Sequence, residues 1–130
     1  MWSVVPSVVV LGLVAIAAVR LAHSRASPID ATEARVAAAT VLGIGTAIQS
    51  AHFVEEWATG FHARFPALLG LDPMPLSFFV AFNLAWIAVW IASIPFLRLG
   101  RKAAFFAAWF LAIAGILNGI AHPLMAMTSG

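Results

Sequence analysis

The sequence predicts an all-α fold, an integral membrane four-helix transmembrane bundle. Hydrophobic residues make up 63% of the chain and charged residues only 9%, whereas a soluble domain carries roughly 25% charged residues to keep its surface in water. The apolar residues also fall into four long runs. With 130 residues in all, we expect a single transmembrane domain over residues 1–130.

Each of the four runs is long enough to cross a bilayer, whose apolar core of about 30 Å needs about 20 helical residues. The predicted helices cover about residues 2–22, 31–58, 76–97 and 103–125. No basic residue precedes the first run, and Arg20 and Arg25 follow it. This order argues against a cleaved signal peptide. Asp30 and Glu33 have the spacing of a capping box, which predicts the start of the second helix.

The connections between the runs are polar or rich in Gly and Pro. Residues 24–29 contain Ser, Arg and Pro, and residues 98–102 form a short basic turn. The middle connection contains Gly60, Gly70 and three prolines. We therefore expect an irregular or partly interfacial loop there.

Basic residues are distributed asymmetrically between the two predicted faces. Six of the seven Lys and Arg residues lie in or beside the first and third connections, and the middle one has Arg64 alone. The positive-inside rule then predicts a multi-pass protein of the cell membrane with both termini on the outer face. Because this distribution indicates orientation, no nucleic-acid partner is expected. The absence of Cys excludes disulfides and thiolate metal sites.

Side chains that are costly in lipid recur on three of the predicted helices. An ionisable group costs at least ~2.5–3.5 kcal/mol at the centre of a bilayer. On the second helix, a rotation of about 100° per residue places four polar groups within an arc of roughly 120°. These are Gln49, His52, Glu55 and Glu56. They form one stripe that is expected to face the bundle interior.

The third and fourth helices add polar groups at the same expected depth. Asn83 lies early in the third helix, and Asn118 and His122 lie late in the fourth, one turn apart and hence on one face. Because successive helices alternate in direction, all of these groups map to the outer half of the membrane. The predicted catalytic residues are His52, Glu55, Glu56, Asn83, Asn118 and His122.

Aromatic residues near these groups are candidates for substrate contact. The predicted substrate-binding residues are Gln49, Trp57, Phe82, Trp86 and Trp90. Trp86 and Trp90 are one helical turn apart and could wall an apolar pocket beside Asn83. Packing, lipid exposure or, for Trp57, a place in the interfacial aromatic belt explains the same residues equally well. Asparagines likewise often hold helices together in membranes.

At His52-Phe53-Val54-Glu55-Glu56 the sequence resembles the HXXEE family, small membrane proteins named for that motif. The resemblance extends over the second to fourth helices, including Asn83 and the segment from Asn118 to His122. It implies a membrane protein and supplies no reaction, since the family name describes a motif. Members often continue beyond the last His, whereas this sequence ends eight residues after His122.

The arrangement is also distantly similar to the sterol-isomerase (emopamil-binding) type of membrane domain. Those domains use His, Glu and Asn inside a helical bundle to move protons on a lipid. The similarity is an analogy of site chemistry.

Three functions are compatible with the polar group. The first is an enzyme that performs acid–base chemistry, without a cofactor, on a lipid or isoprenoid substrate. The second is a Zn-dependent hydrolase in which His52, His122 and either Glu55 or Glu56 bind the metal, and the other Glu is the general base. The third is a non-enzymatic binding or transport subunit. The expected partners are membrane lipid, a hydrophobic small molecule and, for transport, further copies of the chain.

Overall fold

The structure, a computed structural model, describes residues 2–25 and 32–128, and all regular secondary structure within these ranges is helical. The helices are α1 (Val5–Arg25), α2 (Thr32–Thr59), α3 (Phe61–Leu68), α4 (Leu76–Arg98) and α5 (Lys102–Thr128), and a 3-10 turn at Trp2–Val4 precedes α1. All but α3 are long and apolar enough to cross a membrane. The predicted all-α fold is thus confirmed. Asp30, the predicted capping residue, lies outside the described residues.

A short helix, α3, occupies the connection for which the sequence predicts an irregular loop. Gly60 adopts a positive φ of 71° at the end of α2. Its carbonyl accepts hydrogen bonds from the backbone N–H groups of Ala63 and Arg64, which start the new helix. Phe61 and Phe65 lie one turn apart on α3, and their rings stack with centroids 5.2 Å apart. The loop was predicted from its Gly and Pro content, but the glycines flank the helix and Pro66 lies inside it.

The long helices pack with α2 against α4 and α5, and with α1 against α5. Phe53, late in α2, meets Phe79, early in α4, so these helices are antiparallel. Glu56, also late in α2, meets His122, late in α5, so these two are parallel. The parallel pairing brings the polar ends of α2 and α5 together.

A packed apolar core occupies the middle of the bundle and the end away from α3. Small residues such as Ala18 and Ala107, at most 1% exposed, allow the helices to approach closely there. Many large apolar side chains face outwards instead: Leu13, Val41 and Ile48 are 64%, 68% and 65% exposed. Continuous apolar surface of this kind suits contact with lipid, and the four long helices are compatible with a multi-pass membrane protein.

Glycine is required at one helix contact and not at another. A Cβ added to Gly45 on α2 would lie 3.2 Å from Leu111 of α5, which shows how closely these helices approach. Nothing among the described residues lies within 4 Å of a Cβ added to Gly115 or Gly119. The GxxxG pair on α5 therefore makes no helix contact in the described part of this chain.

Four of the basic residues gather at the end opposite α3, whereas Arg64 lies in α3. The Arg35 side chain of α2 lies beside Gly100 in the turn between α4 and α5. Arg98, Arg101 and Lys102 occupy or flank the same turn. Two of the basic segments counted in the sequence therefore share one end of the bundle. Which face of the membrane that end occupies stays a prediction.

Candidate functional site

Glu56 is the centre of a polar cluster at the α3 end of the bundle. It is only 5% exposed, and its Oε1 atom lies 3.2 Å from Nε2 of His122 and 3.3 Å from Nε2 of His52. The His122 contact has hydrogen-bond geometry. The two imidazole rings also pack edge to face, with centroids 4.4 Å apart. One buried carboxylate oxygen thus lies close to two imidazoles, and the hydrogen bond with His122 offsets part of the cost of burying it.

Three helices position this cluster. His52 and Glu56 are four residues apart on α2 and therefore lie on one face, one turn above the other. The parallel α5 brings His122 to the same level. Phe61, at the start of α3, stacks on the His122 ring with centroids 5.5 Å apart and an interplanar angle of 7°. The short helix α3 thus helps to hold the orientation of the imidazole.

Glu55 lies differently from its neighbour. Its side chain is 67% exposed, and its Oε2 atom lies 3.5 Å from Nδ1 of His52. Adjacent residues of a helix are rotated by about 100°, so the two carboxylates approach different nitrogens of the same ring. The sequence predicts that the whole polar stripe faces the interior, and Glu55 departs from that prediction.

His52, Glu56 and His122 could hold a metal ion. Each offers one ligand atom, and these atoms lie within 4.8 Å of one another. Two His and one Glu form a ligand set that catalytic zinc sites use. The sequence leaves open which Glu joins the two imidazoles, and the geometry selects Glu56.

A cavity of about 170 Å³ adjoins the cluster, and Glu56 forms part of its wall. The other polar lining residues include Gln49, Asn83 and Asn118, and the aromatic ones include Phe82, Trp86, Trp90 and Phe110. The rings of Trp86 and Phe110 stack at 4.0 Å. An engineered cavity of about 150 Å³ binds benzene, so this space accommodates a group about the size of one ring.

The cavity reaches the surface of the bundle between α1 and α4. These two helices are not a closely packed pair, since α1 packs mainly on α5 and α4 on α2 and α5. Val8 and Val10 on α1 line the cavity, although they are 56% and 49% exposed. Phe78 on α4 also lines the cavity and is 42% exposed. The wall of the cavity on this side is therefore partly exposed at the surface of the bundle.

Most of the predicted site residues are brought together. Of these, Gln49, Glu56, Phe82, Asn83, Trp86, Trp90 and Asn118 line the cavity, and His52 and His122 contact Glu56. Trp57 is 54% exposed and lies outside the set of lining residues. Sequence reasoning missed Phe61 and Phe110. The spacing of Phe61 and Phe65 by one helical turn is the signal that could have revealed α3 and its aromatic face.

Compared with protein families, curated proteins and solved structures, the chain shows no significant match. The resemblances to the HXXEE family and to the sterol-isomerase domain therefore stay predictions. The function has to be argued from the site itself.

Proposed function

We propose that the protein is a membrane-embedded enzyme that transfers protons to and from a lipid or isoprenoid substrate, in an isomerisation or a cyclisation. The observation that supports this most directly is the position of Glu56. Its carboxylate belongs both to the imidazole cluster and to the wall of the aromatic cavity. A carboxylate beside imidazoles supplies an acid and a base at one place.

The polar residues of the wall have separate roles in this proposal. Glu56 exchanges the proton with the substrate, and His122 shares that proton through its hydrogen bond to Glu56, with His52 beside them. Asn83 donates a hydrogen bond from its side-chain nitrogen to the Phe79 carbonyl at 2.9 Å. Its side-chain oxygen remains as an acceptor for a hydroxyl group or a water molecule. Asn118 lies on the same wall and completes the polar end of the cavity.

The aromatic walls favour a substrate that becomes positively charged during the reaction. Protonation of an alkene creates a carbocation, and the faces of Trp and Phe rings stabilise a cation. Trp86, Trp90 and Phe110 supply such faces. Because the cavity accommodates only about one ring, the reacting part of the lipid lies inside and its remainder extends through the α1–α4 opening. These features support an isoprenoid or a cyclic lipid.

Deuterium incorporation tests the proposal even while the product is unidentified. The full chain is reconstituted into vesicles with lipids extracted from its native membrane and incubated in D₂O, and the lipids are analysed by mass spectrometry. We expect one lipid species to gain deuterium, and His122→Asn to slow this by at least ~100-fold. His23→Asn is the matched control, because His23 is exposed and, among the described residues, hydrogen-bonds to a carbonyl of its own helix. If no lipid changes with the unmodified protein, the proposed chemistry is wrong.

A metal-dependent hydrolase is the second candidate, supported by the three ligand atoms of His52, Glu56 and His122. Such a hydrolase needs a general base beside the metal-bound water. The remaining carboxylate, Glu55, is directed at the far nitrogen of His52, so this candidate ranks lower. Chelator-sensitive release of fatty acid or phosphate from the same lipid extract would reverse the ranking.

A transport role has less support from the packing. The described residues at the end away from α3 form an apolar core around Ala18, Leu42 and Leu97. No polar path comparable to the cluster crosses this part of the described chain. Substrate that is bound without chemical change would instead indicate a binding protein.

A further inference from the structure

His52 has a buried ring nitrogen whose bonding is incomplete. Its Nε2 atom is inaccessible to solvent and has no hydrogen-bond partner in the described part of the chain. The Oε1 atom of Glu56 is only 3.3 Å away, yet the geometry is not that of a hydrogen bond. A buried polar atom without a partner costs about 1–3 kcal/mol. Such an atom therefore suggests a missing ligand.

Glu55 lies on the opposite side of the His52 ring. Its carboxylate is 3.5 Å from Nδ1 of His52, and with a metal ion at Nε2 it would hold the single proton of the ring on Nδ1. A neutral imidazole carries one proton, so Nε2 is then an acceptor. An acceptor nitrogen and a carboxylate oxygen repel each other at this separation. A cation between them converts the repulsion into two bonds.

The two separations that involve Glu56 agree with those of a tetrahedral metal site, and all three ligand atoms lie within 4.8 Å of one another. Ligand atoms at about 2.0–2.1 Å from a tetrahedral Zn²⁺ are separated from each other by about 3.3–3.4 Å. The separations from Glu56 Oε1 to the nitrogens of His52 and His122 are 3.3 and 3.2 Å. A hydrogen bond alone accounts for the His122 contact, but it leaves His52 unexplained.

We propose that His52, Glu56 and His122 bind one divalent transition-metal ion of the Zn²⁺ type, and that Glu55 is the positioning residue that orients His52 towards it. A carboxylate on the far nitrogen of a ligating imidazole is a common arrangement around protein-bound zinc. Each polar residue of the His-x-x-Glu-Glu motif then has its own role.

Two further features fit such an ion. Imidazole nitrogens favour Zn²⁺ and its neighbours over Mg²⁺ or Ca²⁺, which prefer sites made of oxygen. Three protein ligands leave a fourth position for water or a substrate oxygen, as in catalytic zinc sites. Because Glu56 also lines the cavity, this proposal rests on the cluster of the proposed enzyme and deepens it. With the ion bound, the proton exchange assigned to Glu56 would pass to a water molecule in the fourth position, which the ion would make more acidic.

Metal content and affinity test the proposal. The purified full chain, with any affinity tag removed, is reconstituted with Zn²⁺ in lipid nanodiscs, dialysed and analysed for bound metal. We expect one Zn²⁺ per chain, and an X-ray absorption spectrum with nitrogen and oxygen neighbours at about 2.0–2.1 Å. His52→Ala and Glu56→Gln should weaken binding by more than ~100-fold, and Glu55→Gln by about 10–100-fold.

Two variants are matched controls for the residue types that are changed. His23→Ala removes an exposed His, and Glu33→Gln removes an exposed acid near the start of α2. Both should bind Zn²⁺ as the unmodified protein does. Zn²⁺ content far below one ion per chain, or unchanged affinity in His52→Ala, would overturn the proposal.

Thermal unfolding of the unmodified protein provides a measurement that does not depend on how the variants fold. An ion that binds only the folded state raises its stability in proportion to the logarithm of the ion concentration above Kd. We expect Zn²⁺ to raise the unfolding temperature, and a chelator to reverse this. No shift at saturating Zn²⁺ would contradict the site. If Zn²⁺ binds but no lipid gains deuterium, the enzyme proposal fails alone; if a lipid gains deuterium but no Zn²⁺ binds, the metal proposal fails alone.

Discussion

Replacing either of the two adjacent carboxylates by its amide provides the sharpest test of the site. Glu56→Gln and Glu55→Gln change the same chemical group at neighbouring positions of α2. Glu56 is 5% exposed and contacts two imidazoles, whereas the Glu55 side chain is 67% exposed and contacts the outer nitrogen of one. The two substitutions should therefore differ strongly in their effect on turnover.

The expected effect on stability is small for both variants. In Glu56→Gln, the His122 hydrogen bond changes from one with a charged acceptor, worth about 1.5–3 kcal/mol, to a neutral one worth about 0.5–1.5 kcal/mol. The contact with His52 lacks hydrogen-bond geometry and adds little. The free energy of unfolding should thus fall by about 1–1.5 kcal/mol at most. For the exposed Glu55 a change within about 0.5 kcal/mol is expected.

The expected effect on turnover is much larger and unequal. Loss of a proton-transfer group typically lowers the rate by about 10²–10⁴, which corresponds to about 3–5.5 kcal/mol of activation free energy. We expect this reduction of the rate in Glu56→Gln. Glu55→Gln keeps an oxygen that can accept a bond from Nδ1 of His52, so we expect a reduction of about tenfold.

The assay is deuterium incorporation into lipid, measured together with unfolding by urea or heat in the same detergent. The reasoning is refuted if the two amide variants lose activity equally, or if Glu55→Gln is the more damaged. A Glu56→Gln variant that fails to fold would also contradict the stability estimate. Glu56→Asp separates the requirement for a carboxylate from the requirement for its position, because Asp keeps the carboxylate but does not reach as far towards His122.

Two further predictions concern the bundle itself. Because the chain has no Cys, single introduced cysteines report the topology. Leu69→Cys, beyond α3, should react with an impermeant thiol reagent outside the cell, and Leu99→Cys, in the basic turn, should not. The reverse labelling pattern would refute the predicted orientation. Gly45→Val should lower the free energy of unfolding by about 1–3 kcal/mol, because its side chain would overlap Leu111. Gly115→Val, which has open space around it, should change that free energy by no more than about 0.5 kcal/mol in the same unfolding measurement.

The class of the protein and the number of long helices follow from the sequence, because hydropathy and length are local properties. A run of about 20 apolar residues has few alternatives to a membrane-spanning helix. The convergence of polar groups at one end also follows, since alternating helix directions bring late α2, early α4 and late α5 to one level. His52, Asn83 and His122 were predicted in this way. The short α3 was missed because the Gly and Pro content of the connection between α2 and α4 is typical of a loop.

The chemistry of the site depends on rotations that no local pattern specifies. Glu55 and Glu56 are equivalent candidates in the sequence, and which one meets the imidazoles is decided by how α2 is turned against α5. That angle follows from packing along the whole contact, including the close approach of Gly45 to Leu111. The cavity likewise exists because α1 packs on α5 and leaves α4 uncovered. The sequence alone therefore determines which polar groups share a depth in the membrane, and the tertiary structure decides which of them touch.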